Sequence, residues 1–269
     1  MVYDNRHRTF LQAIMHGGAV LDQDATNMCQ KIFQQTSDVS TVTGLINDKL
    51  APLAMCMKSG ICEMTGNKYW SVVGTVHEEN LIIENEYTPA QKAFLRVIFS
   101  EIIGSQEKCI QNTDCLNLVH TFGHKMNMAE AESFLRRVVK QKWLHCKDGY
   151  YYMGVRSIIE LMPYFRATYQ DHFLNCDLCK EVVFNGQKCD HCPFAAHNYC
   201  LARYVSLNKT DKCLNCKKEL DISNLPTECQ FPQRSAPENG DDLMEVCEDN
   251  DNPSQKSKSR KSKKRSRAI

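Results

Sequence analysis

The sequence predicts an α+β chain of several domains: two successive units of helices and a two-stranded ribbon, then a small zinc-binding domain and an unfolded tail. Three observations predict this order. Apolar residues recur at helical spacing ahead of a hairpin turn, and the same order appears twice before residue 155. Between residues 176 and 216, cysteines and a histidine come in closely spaced pairs. After Leu220 the chain loses apolar residues and carries blocks of like charge.

The first unit opens with three predicted helices. An apolar face at residues 10–15 is stopped by Gly17-Gly18, and a second helix is predicted to start with Asp22 as its N-terminal cap. The third helix is predicted from Val39 to about Met57. Pro52 lies inside that range and is a candidate interruption, because proline removes a backbone donor.

A predicted ribbon follows these helices. Residues 61–65 and 69–73 are expected to be its strands, and they flank Gly66-Asn67, a favoured pair for a tight hairpin turn. Three helices followed by a two-stranded ribbon is the element order of a winged helix. Residues 1–85 are therefore predicted to form a winged-helix domain.

The same order recurs in residues 86–171. Thr88-Pro89 opens a helix with proline at its first position, and a short helix follows near residues 115–119. A third helix is predicted from about Asn127 to Leu144, and Asp148-Gly149 turns the ribbon behind it. The residues expected to face the core of this second unit are Phe94, Leu95, Ile98, Phe99, Ile102, Phe134, Leu135, Val138 and Val139. The repetition predicts a second, tandem winged-helix domain.

Basic side chains on the second unit raise the question of DNA binding. They are Lys125, Arg136, Arg137, Lys140 and Lys142. A winged helix can lay its third helix in the major groove. However, exposed Lys and Arg are ordinary on any helix, and the formal net charge of the chain is only +1. Protein docking is therefore favoured over sequence-specific DNA reading, with a nonspecific DNA contact left open.

A linking segment joins the second unit to the cysteine-rich stretch. An apolar stripe at helical spacing runs from Val155 to Tyr169, and Pro163 is predicted to kink or split this helix. We expect the stripe to pack against the second winged helix. Because little sequence separates it from Cys176, it should also hold the zinc-binding domain close and fix its orientation.

Eight ligands for two zinc ions are predicted in the cysteine-rich stretch. In chain order they are Cys176, Cys179, Cys189, Cys192, His197, Cys200, Cys213 and Cys216. Thiolate and imidazole bind zinc tetrahedrally, four to an ion, and a Cys-x2-Cys pair brings two sulfurs to one metal. A disulfide framework is the alternative, but nothing else in the chain indicates secretion. His191 could replace a neighbouring cysteine, although the regular spacing favours it as a surface neighbour.

Two ways of sharing the ligands are compatible with this spacing. Sequential pairing would form two separate ribbons. In an interleaved cross-brace, Cys176, Cys179, His197 and Cys200 bind one ion, and the remaining four ligands bind the other. The ligand order, with histidine fifth, resembles the variant RING and PHD finger families. PHD fingers usually carry tryptophan two residues before the seventh ligand, where this chain has Asp211. A RING-like cross-brace is therefore predicted over residues 172–222.

Composition restricts the cellular setting. The chain has 269 residues and 15 cysteines, of which seven belong to the predicted zinc ligands. The other cysteines are interpreted as ordinary small side chains. They are Cys29, Cys56, Cys62, Cys109, Cys115, Cys146, Cys229 and Cys247. Because neither a membrane span nor a signal peptide is recognisable, the cysteines indicate a reducing compartment with bound metal and no membrane partner.

Residues 223–269 are predicted to form a disordered tail, first acidic and then basic. Residues 238–251 carry seven acidic side chains, and eight of the twelve residues from Lys256 to Arg267 are Lys or Arg. Such blocks cannot bury enough apolar area to fold. The basic cluster at residues 260–265 is either a nuclear localisation signal or a solubilising segment.

The combination of two winged helices and a variant RING is similar to one known family. From about Thr9 to Leu220 the chain resembles the non-structural maintenance of chromosomes element one homologs, the variant-RING subunits of the SMC five/six complex. The resemblance implies a nuclear, chromosome-associated ubiquitin ligase subunit in DNA repair by homologous recombination. It implies a MAGE-family third non-SMC element that stimulates the ligase, a kleisin-like fourth element and the SMC five/six core as partners.

The RING resemblance also implies a surface for a ubiquitin-conjugating enzyme. RINGs turn an apolar residue between the first two ligands and an aromatic residue four past the sixth toward that enzyme, here Leu178 and Tyr204. Packing within the small domain is the alternative interpretation of both. Closed zinc sites hold no water that could attack a substrate, and no covalent nucleophile is predicted in the chain. The domain is therefore expected to catalyse ubiquitin transfer by positioning the ubiquitin thioester.

Two departures from active RINGs bear on this activity. Leu214 and Lys217 stand where many active RINGs have a proline and a linchpin arginine, and Lys217 is the third candidate contact with the conjugating enzyme. Lysine lacks the planar fork that bridges two proteins, so activity is expected to depend on a partner. The alternative is a non-enzymatic scaffold subunit of the same complex.

Overall fold

The computed structural model describes residues 2–34, 38–75, 87–121, 123, 125–169, 172–223 and 225–226. The helices are α1 (Asn5–Gly17), α2 (Asp22–Phe33), α3 (Val39–Leu50), α4 (Pro89–Gly104), α5 (Asn112–Asn117), α6 (Met128–Lys140), α7 (Val155–Thr168) and α8 (Asn198–Asn208). The strands are β1 (Val20–Leu21), β2 (Met55–Ile61), β3 (Lys68–Gly74), β4 (Cys109–Gln111), β5 (Leu144–Lys147), β6 (Tyr150–Met153), β7 (Leu174–Asn175), β8 (Val182–Val183), β9 (Gly186–Lys188) and β10 (Ala195–His197). The predicted tail lies outside the described residues from residue 227 onward.

The first part of the chain, residues 5–74, places its helices on one antiparallel sheet. Strand β3 is central, with β1 and β2 on either side. Phe10, Ile14, Phe33 and Ile46 are buried between the helices, and Trp70 of β3 closes this core. The predicted order of three helices and a ribbon is observed, with the two-residue strand β1 in addition.

The third helix does not reach its predicted end near Met57, because it is interrupted where Pro52 was the candidate interruption. Helix α3 stops at Leu50, and a 3₁₀ turn with Pro52 leads into β2. The side chain of Asn47 explains the early change to strand, because its amide accepts a hydrogen bond from Met57 N–H at 2.7 Å and donates to Met57 C=O at 3.1 Å. Strand β2 is thus fixed by a contact within the fold that apolar spacing does not reveal.

Two other predictions in the first part also need correction. The strand predicted at residues 61–65 lies earlier, since Ile61 already pairs with Lys68 and residues 62–67 form the connecting loop. Asp22 is the first residue of α2 and caps nothing in the helix. Its carboxylate instead accepts a hydrogen bond from the indole N–H of Trp70 at 2.6 Å, which ties the helix start to β3.

The second part, residues 87–153, repeats this arrangement. Helices α4 and α6 both begin with capping boxes, at Thr88 and Asn127, and β6 is the central strand between β4 and β5. Asp148 and Gly149 have φ values of 52° and 80° and join β5 to β6, as predicted. The predicted core residues are buried except for Val139, which is half-buried. Helix α6 ends at Lys140, four residues before its predicted end at Leu144.

Helix α7 connects the cores. It runs unbroken through Pro163, so of the two predicted effects, a kink or a split, the split does not occur: packing on both sides of the proline retains the helix although one backbone donor is missing. Val155 and Ile159 pack with buried residues of the first part, whereas Leu161 and Phe165 belong to the core of the second. The stripe therefore contacts both parts, where only the second was expected.

A small polar network accompanies α7 at the first part. Glu160 accepts hydrogen bonds from Arg156 Nε at 2.8 Å and from Ser71 Oγ of β3 at 2.7 Å. The Arg156 guanidinium also lies over the Trp143 ring, 4.4 Å from its centroid. These contacts hold α7, β3 and the second part together. Among the described residues, no helix has the length and apolar character needed to cross a membrane.

Replacing Gly154 by alanine should destabilise the protein. Gly154 precedes α7, and a Cβ there would lie 2.1 Å from the Lys142 carbonyl oxygen and 2.4 Å from the Trp143 carbonyl carbon. Because backbone atoms cannot move aside as a flexible side chain can, we expect Gly154→Ala to lower the free energy of unfolding by about 3 kcal/mol in urea titrations. Gly44→Ala is the matched control, since a Cβ at this exposed helical position meets nothing within 4 Å. The free energy of unfolding of Gly44→Ala should rise by about 0.5–1 kcal/mol. Equal stability of the two variants would contradict the prediction.

Candidate metal centre

The third part of the chain, residues 172–223, brings eight cysteine and histidine side chains into two groups. The first cluster is Cys176, Cys179, His197 and Cys200, and the second cluster is Cys189, Cys192, Cys213 and Cys216. Within each cluster the candidate ligand atoms lie within 4.8 Å of one another. The two clusters alternate along the chain, which is the interleaved arrangement of a cross-brace.

The distances within the clusters fit metal binding. Cys189 Sγ lies 3.6 Å from Cys216 Sγ, and Cys192 Sγ lies 3.6 Å from Cys213 Sγ. These separations are too long for disulfides, and the described cysteines are free thiols. Sulfurs around a tetrahedral zinc, with Zn–S bonds of about 2.3 Å, lie about 3.8 Å apart. Each cluster can therefore hold one zinc ion, which is consistent with two ions per chain.

Two Cys-x2-Cys loops share one backbone geometry. Lys180 N–H donates to Cys176 C=O at 2.7 Å, and Lys217 N–H donates to Cys213 C=O at 3.0 Å. Both lysines have a left-handed backbone conformation, with φ values of 67° and 62°. The tight turn is what lets the two sulfurs of each loop converge. His191 is exposed and outside both clusters, as expected of a surface neighbour.

Crowding in the first cluster appears in the pKa values of its thiols. Hydrogen bonds from Cys179 and Cys200 hold the pKa of Cys176 far below its ordinary value, despite burial. Hydrogen bonds to Cys176 and Cys179, together with burial, raise the pKa of Cys200 far above it. These opposite shifts of Cys176 and Cys200 reflect the repulsion that two neighbouring thiolates would experience. A divalent cation between them would relieve this repulsion.

His197 reaches its cluster from β10 and is fully buried. Its Nδ1 lies 3.3 Å from Cys179 Sγ and 3.7 Å from Cys200 Sγ, so this nitrogen faces the cluster. The opposite nitrogen, Nε2, lies 2.9 Å from the Val182 carbonyl oxygen and therefore carries the proton. The Tyr199 ring stacks on the imidazole at 4.7 Å between centroids and restrains its orientation.

Glu63 is a site residue that the sequence interpretation missed. It lies in the 62–67 loop of the first part, only 5% exposed, and its carboxylate oxygen is 3.2 Å from His197 Nε2. The sequence placed Glu63 in a predicted ribbon strand. Its role at the site was missed because its partners are more than a hundred residues away in the chain. The one local signal was a charged residue beside a hairpin turn in an otherwise apolar stretch.

The predicted contacts for a conjugating enzyme fall into two classes. Leu178 and Tyr204 are half-buried and pack on the core of the third part, so they are available to a partner only in part. Lys217 is exposed, and so is Leu214, which stands where many active RINGs have a proline. The third part of the chain thus presents an apolar and cationic surface next to the second cluster.

Comparison with known proteins gives consistent matches along the chain. Residues 7–161 match the family described as the Nse1 non-SMC component of the SMC5-6 complex, and residues 176–216 match a RING-like domain. The non-structural maintenance of chromosomes element 1 homolog of Homo sapiens is 29% identical over 217 residues, covering 78% of this chain and 82% of that protein. Element 1 of Schizosaccharomyces pombe is 24% identical over 221 residues, covering 79% and 90%.

A solved structure agrees with these matches. A chain described as part of an Nse1-Nse3-Nse4 complex superimposes with a TM-score of 0.71 at 27% identity, covering 85% of this chain and 99% of that one. The two Cys/His clusters lie within the residues that match the RING-like domain. Because residues 7–161 are more than half of the 269 residues, this chain belongs to the Nse1 family of non-SMC components of the SMC5-6 complex.

Proposed function

We propose that this chain is the RING-type ubiquitin-protein ligase subunit of an SMC5-6 complex, acting on chromosomes in the nucleus in DNA repair by homologous recombination. One observation carries the proposal: two interleaved Cys/His clusters lie in a RING-like domain on a chain of the Nse1 family. The zinc ligands are the eight residues of the two clusters. Zinc supplies structural order there, because four protein ligands leave no open position for water.

The proposed domain order begins with two tandem winged-helix domains, residues 1–85 and 86–171. The RING-like domain, residues 172–222, and a disordered tail, residues 223–269, are proposed to follow. The repeated element order supports the first two assignments. In both parts helices precede an antiparallel hairpin whose second strand is central, with the sheet orders β1-β3-β2 and β4-β6-β5. A short strand between the first two helices of each part completes the sheet.

The proposed partners are the MAGE-family third non-SMC element, Nse3, the kleisin-like fourth element, Nse4, and the SMC five/six core. Similarity to a chain of an Nse1-Nse3-Nse4 complex supports the first two. For the basic face of α6, protein docking is proposed over DNA reading, and two of its arginines have partners within the chain. Arg136 pairs with Glu132 at 2.7 Å, and Arg137 donates to Gln91 at 2.8 Å beside the Tyr87 ring.

The proposed mechanism is positioning. The RING-like domain binds a ubiquitin-conjugating enzyme through Leu178, Tyr204 and Lys217. Restraining the ubiquitin thioester in a reactive conformation raises its rate of attack by a substrate lysine without any covalent step on this chain. Lys217 carries charge without arginine's planar fork, so a partner protein is needed to complete the surface.

Leu178→Ala and Tyr204→Ala test this assignment. We expect either change to slow single-turnover discharge of a ubiquitin-loaded conjugating enzyme about tenfold, measured with the MAGE-family partner present. Zinc content and partner binding should stay unchanged, because both side chains are only half-buried. The matched control is Leu174→Ala, which removes an exposed leucine of β7 outside the positions that RINGs use. Discharge that is unaffected by all three changes would contradict the proposed surface.

A scaffold role is the second candidate, favoured by the packing of Leu178 and Tyr204 on the core of the third part and by lysine at position 217. The same assay separates the two functions when several conjugating enzymes are tried with and without the partner. Discharge only with the partner supports a partner-dependent ligase. No discharge under any condition, with two zinc ions retained, supports a zinc-dependent structural adaptor.

A further inference from the structure

The 62–67 loop of the first part reaches across to the third part. One carboxylate oxygen of Glu63, in this loop, accepts hydrogen bonds from two backbone N–H groups of the third part. The donors are Asn185 and Phe184, the latter at 3.0 Å. The other oxygen lies 3.2 Å from Nε2 of His197. A buried carboxylate is costly unless it is paired, and here both of its oxygens have partners on the third part.

His197 is oriented for such a partner. Its Nδ1 faces the sulfurs of the first cluster, so the proton resides on Nε2, between the Val182 carbonyl and Glu63. Histidines that bind a metal commonly donate their second N–H to a carboxylate or a carbonyl, which fixes the tautomer and makes the ligand more basic. In this chain one histidine has both kinds of acceptor, and the carboxylate comes from a different part of the chain.

We propose that Glu63 is a positioning residue for His197, so that zinc retention in the first cluster is coupled to docking of the third part on the first. The proposal rests on the proposed function only in requiring that the first cluster holds zinc. One carboxylate makes both sets of contacts, those to the docking segment at Phe184 and Asn185 and that to the ligand. Zinc binding must therefore strengthen docking by the same factor by which docking strengthens zinc binding.

The second cluster provides an internal reference. It consists of four cysteines, which have no second ring nitrogen through which a distant carboxylate could act. Removing the charge of Glu63 should thus affect only one of the two ions. The third part is also held against the second by Phe184, whose ring lies 6.0 Å from that of Phe165 on α7, so loss of Glu63 should loosen the third part without detaching it.

Zinc release from the full-length protein measures the coupling. With a chromogenic chelator in excess, we expect Glu63→Gln to release one of two zinc equivalents about tenfold faster than the unmodified protein and the other at an unchanged rate. Hydrogen exchange should report faster exchange of the Phe184 and Asn185 amides. The control is Glu181→Gln, which removes an exposed carboxylate of the third part that pairs with Arg166 at 3.3 Å. This control should leave both release rates unchanged.

His197→Cys completes a double-mutant cycle. A thiolate can still bind zinc but has no Nε2–H for Glu63, so adding Glu63→Gln to this variant should not accelerate release further. Equal acceleration in both backgrounds, or no acceleration in a Glu63→Gln protein that holds two zinc ions, would overturn the proposal. If His197→Cys does not retain two ions, Glu63→Asp is tested in its place. The shorter carboxylate should give a zinc release rate between those of the unmodified protein and Glu63→Gln. Release at the rate of the unmodified protein would overturn the coupling. A protein that binds no zinc at all would instead contradict the proposed function.

Discussion

Cys213→Ser should reduce bound zinc from two ions to at most one per chain and unfold most of the third part. Cys213 is fully buried, and the core around it is small, with Phe194, Leu201 and Leu220 its main large side chains. A core of this size cannot hold the segment together, whereas structural zinc contributes about 10–16 kcal/mol. Loss of one of its four ligands should therefore abolish zinc binding at the second cluster.

Elemental analysis of the purified protein measures the zinc, and hydrogen exchange of residues 176–220 measures the unfolding. Exchange in the first and second parts should change much less, since their cores contain none of the ligands. Cys146→Ser is the control: it makes the same chemical change at an exposed cysteine outside both clusters and should keep two ions. Two ions and normal protection in Cys213→Ser would refute the ligand assignment.

Phe165→Ala should lower the free energy of unfolding by about 3–5 kcal/mol, since it leaves a cavity where a fully buried ring was. The ring meets Phe99 of α4 edge-on at 5.3 Å and Phe184 of the third part at 6.0 Å between centroids. The loss should therefore destabilise the second core and loosen the seating of the third part at the same time. Urea unfolding followed by tryptophan fluorescence, together with hydrogen exchange at Phe184, checks both effects.

Arg166→Ala is the neighbouring control for this change. Its side chain is about half exposed, and its ion pair with Glu181 at 3.3 Å is open to solvent. Such a pair contributes less than about 1 kcal/mol. A loss below about 1 kcal/mol for Phe165→Ala as well would mean that α7 does not connect the second core to the third part in the way the aromatic contacts indicate.

Local signals accounted for much of the fold. The start of α4 follows from the capping sequence at Thr88-Pro89, and the β5–β6 turn follows from Asp148-Gly149, because both depend on residues adjacent in sequence. The two clusters were also foreseeable, since paired ligands at fixed spacing are largely local features. The interleaving needed the further information that the ligand order resembles that of RING domains.

Several of the errors involve contacts that the local sequence does not reveal. Asn47 ends the third helix early by binding the backbone of Met57, and Asp22 bonds Trp70 instead of capping its own helix. Glu63 shows the same limit at the site itself, because nothing near it in the sequence indicates His197. Apolar spacing reports which face of an element is buried, and it does not report which element covers that face.

The reach of the 62–67 loop has a consequence for the order of folding. Its hydrogen bonds to Phe184 and Asn185 span 121 and 122 residues of sequence. Closing so long a loop costs more chain entropy than forming the neighbouring hairpins, so these contacts come late in the search for the native state. On the ribosome, Glu63 of this loop is made 121 residues before its partner Phe184. The Glu63 carboxylate therefore stays hydrated until translation has passed His197.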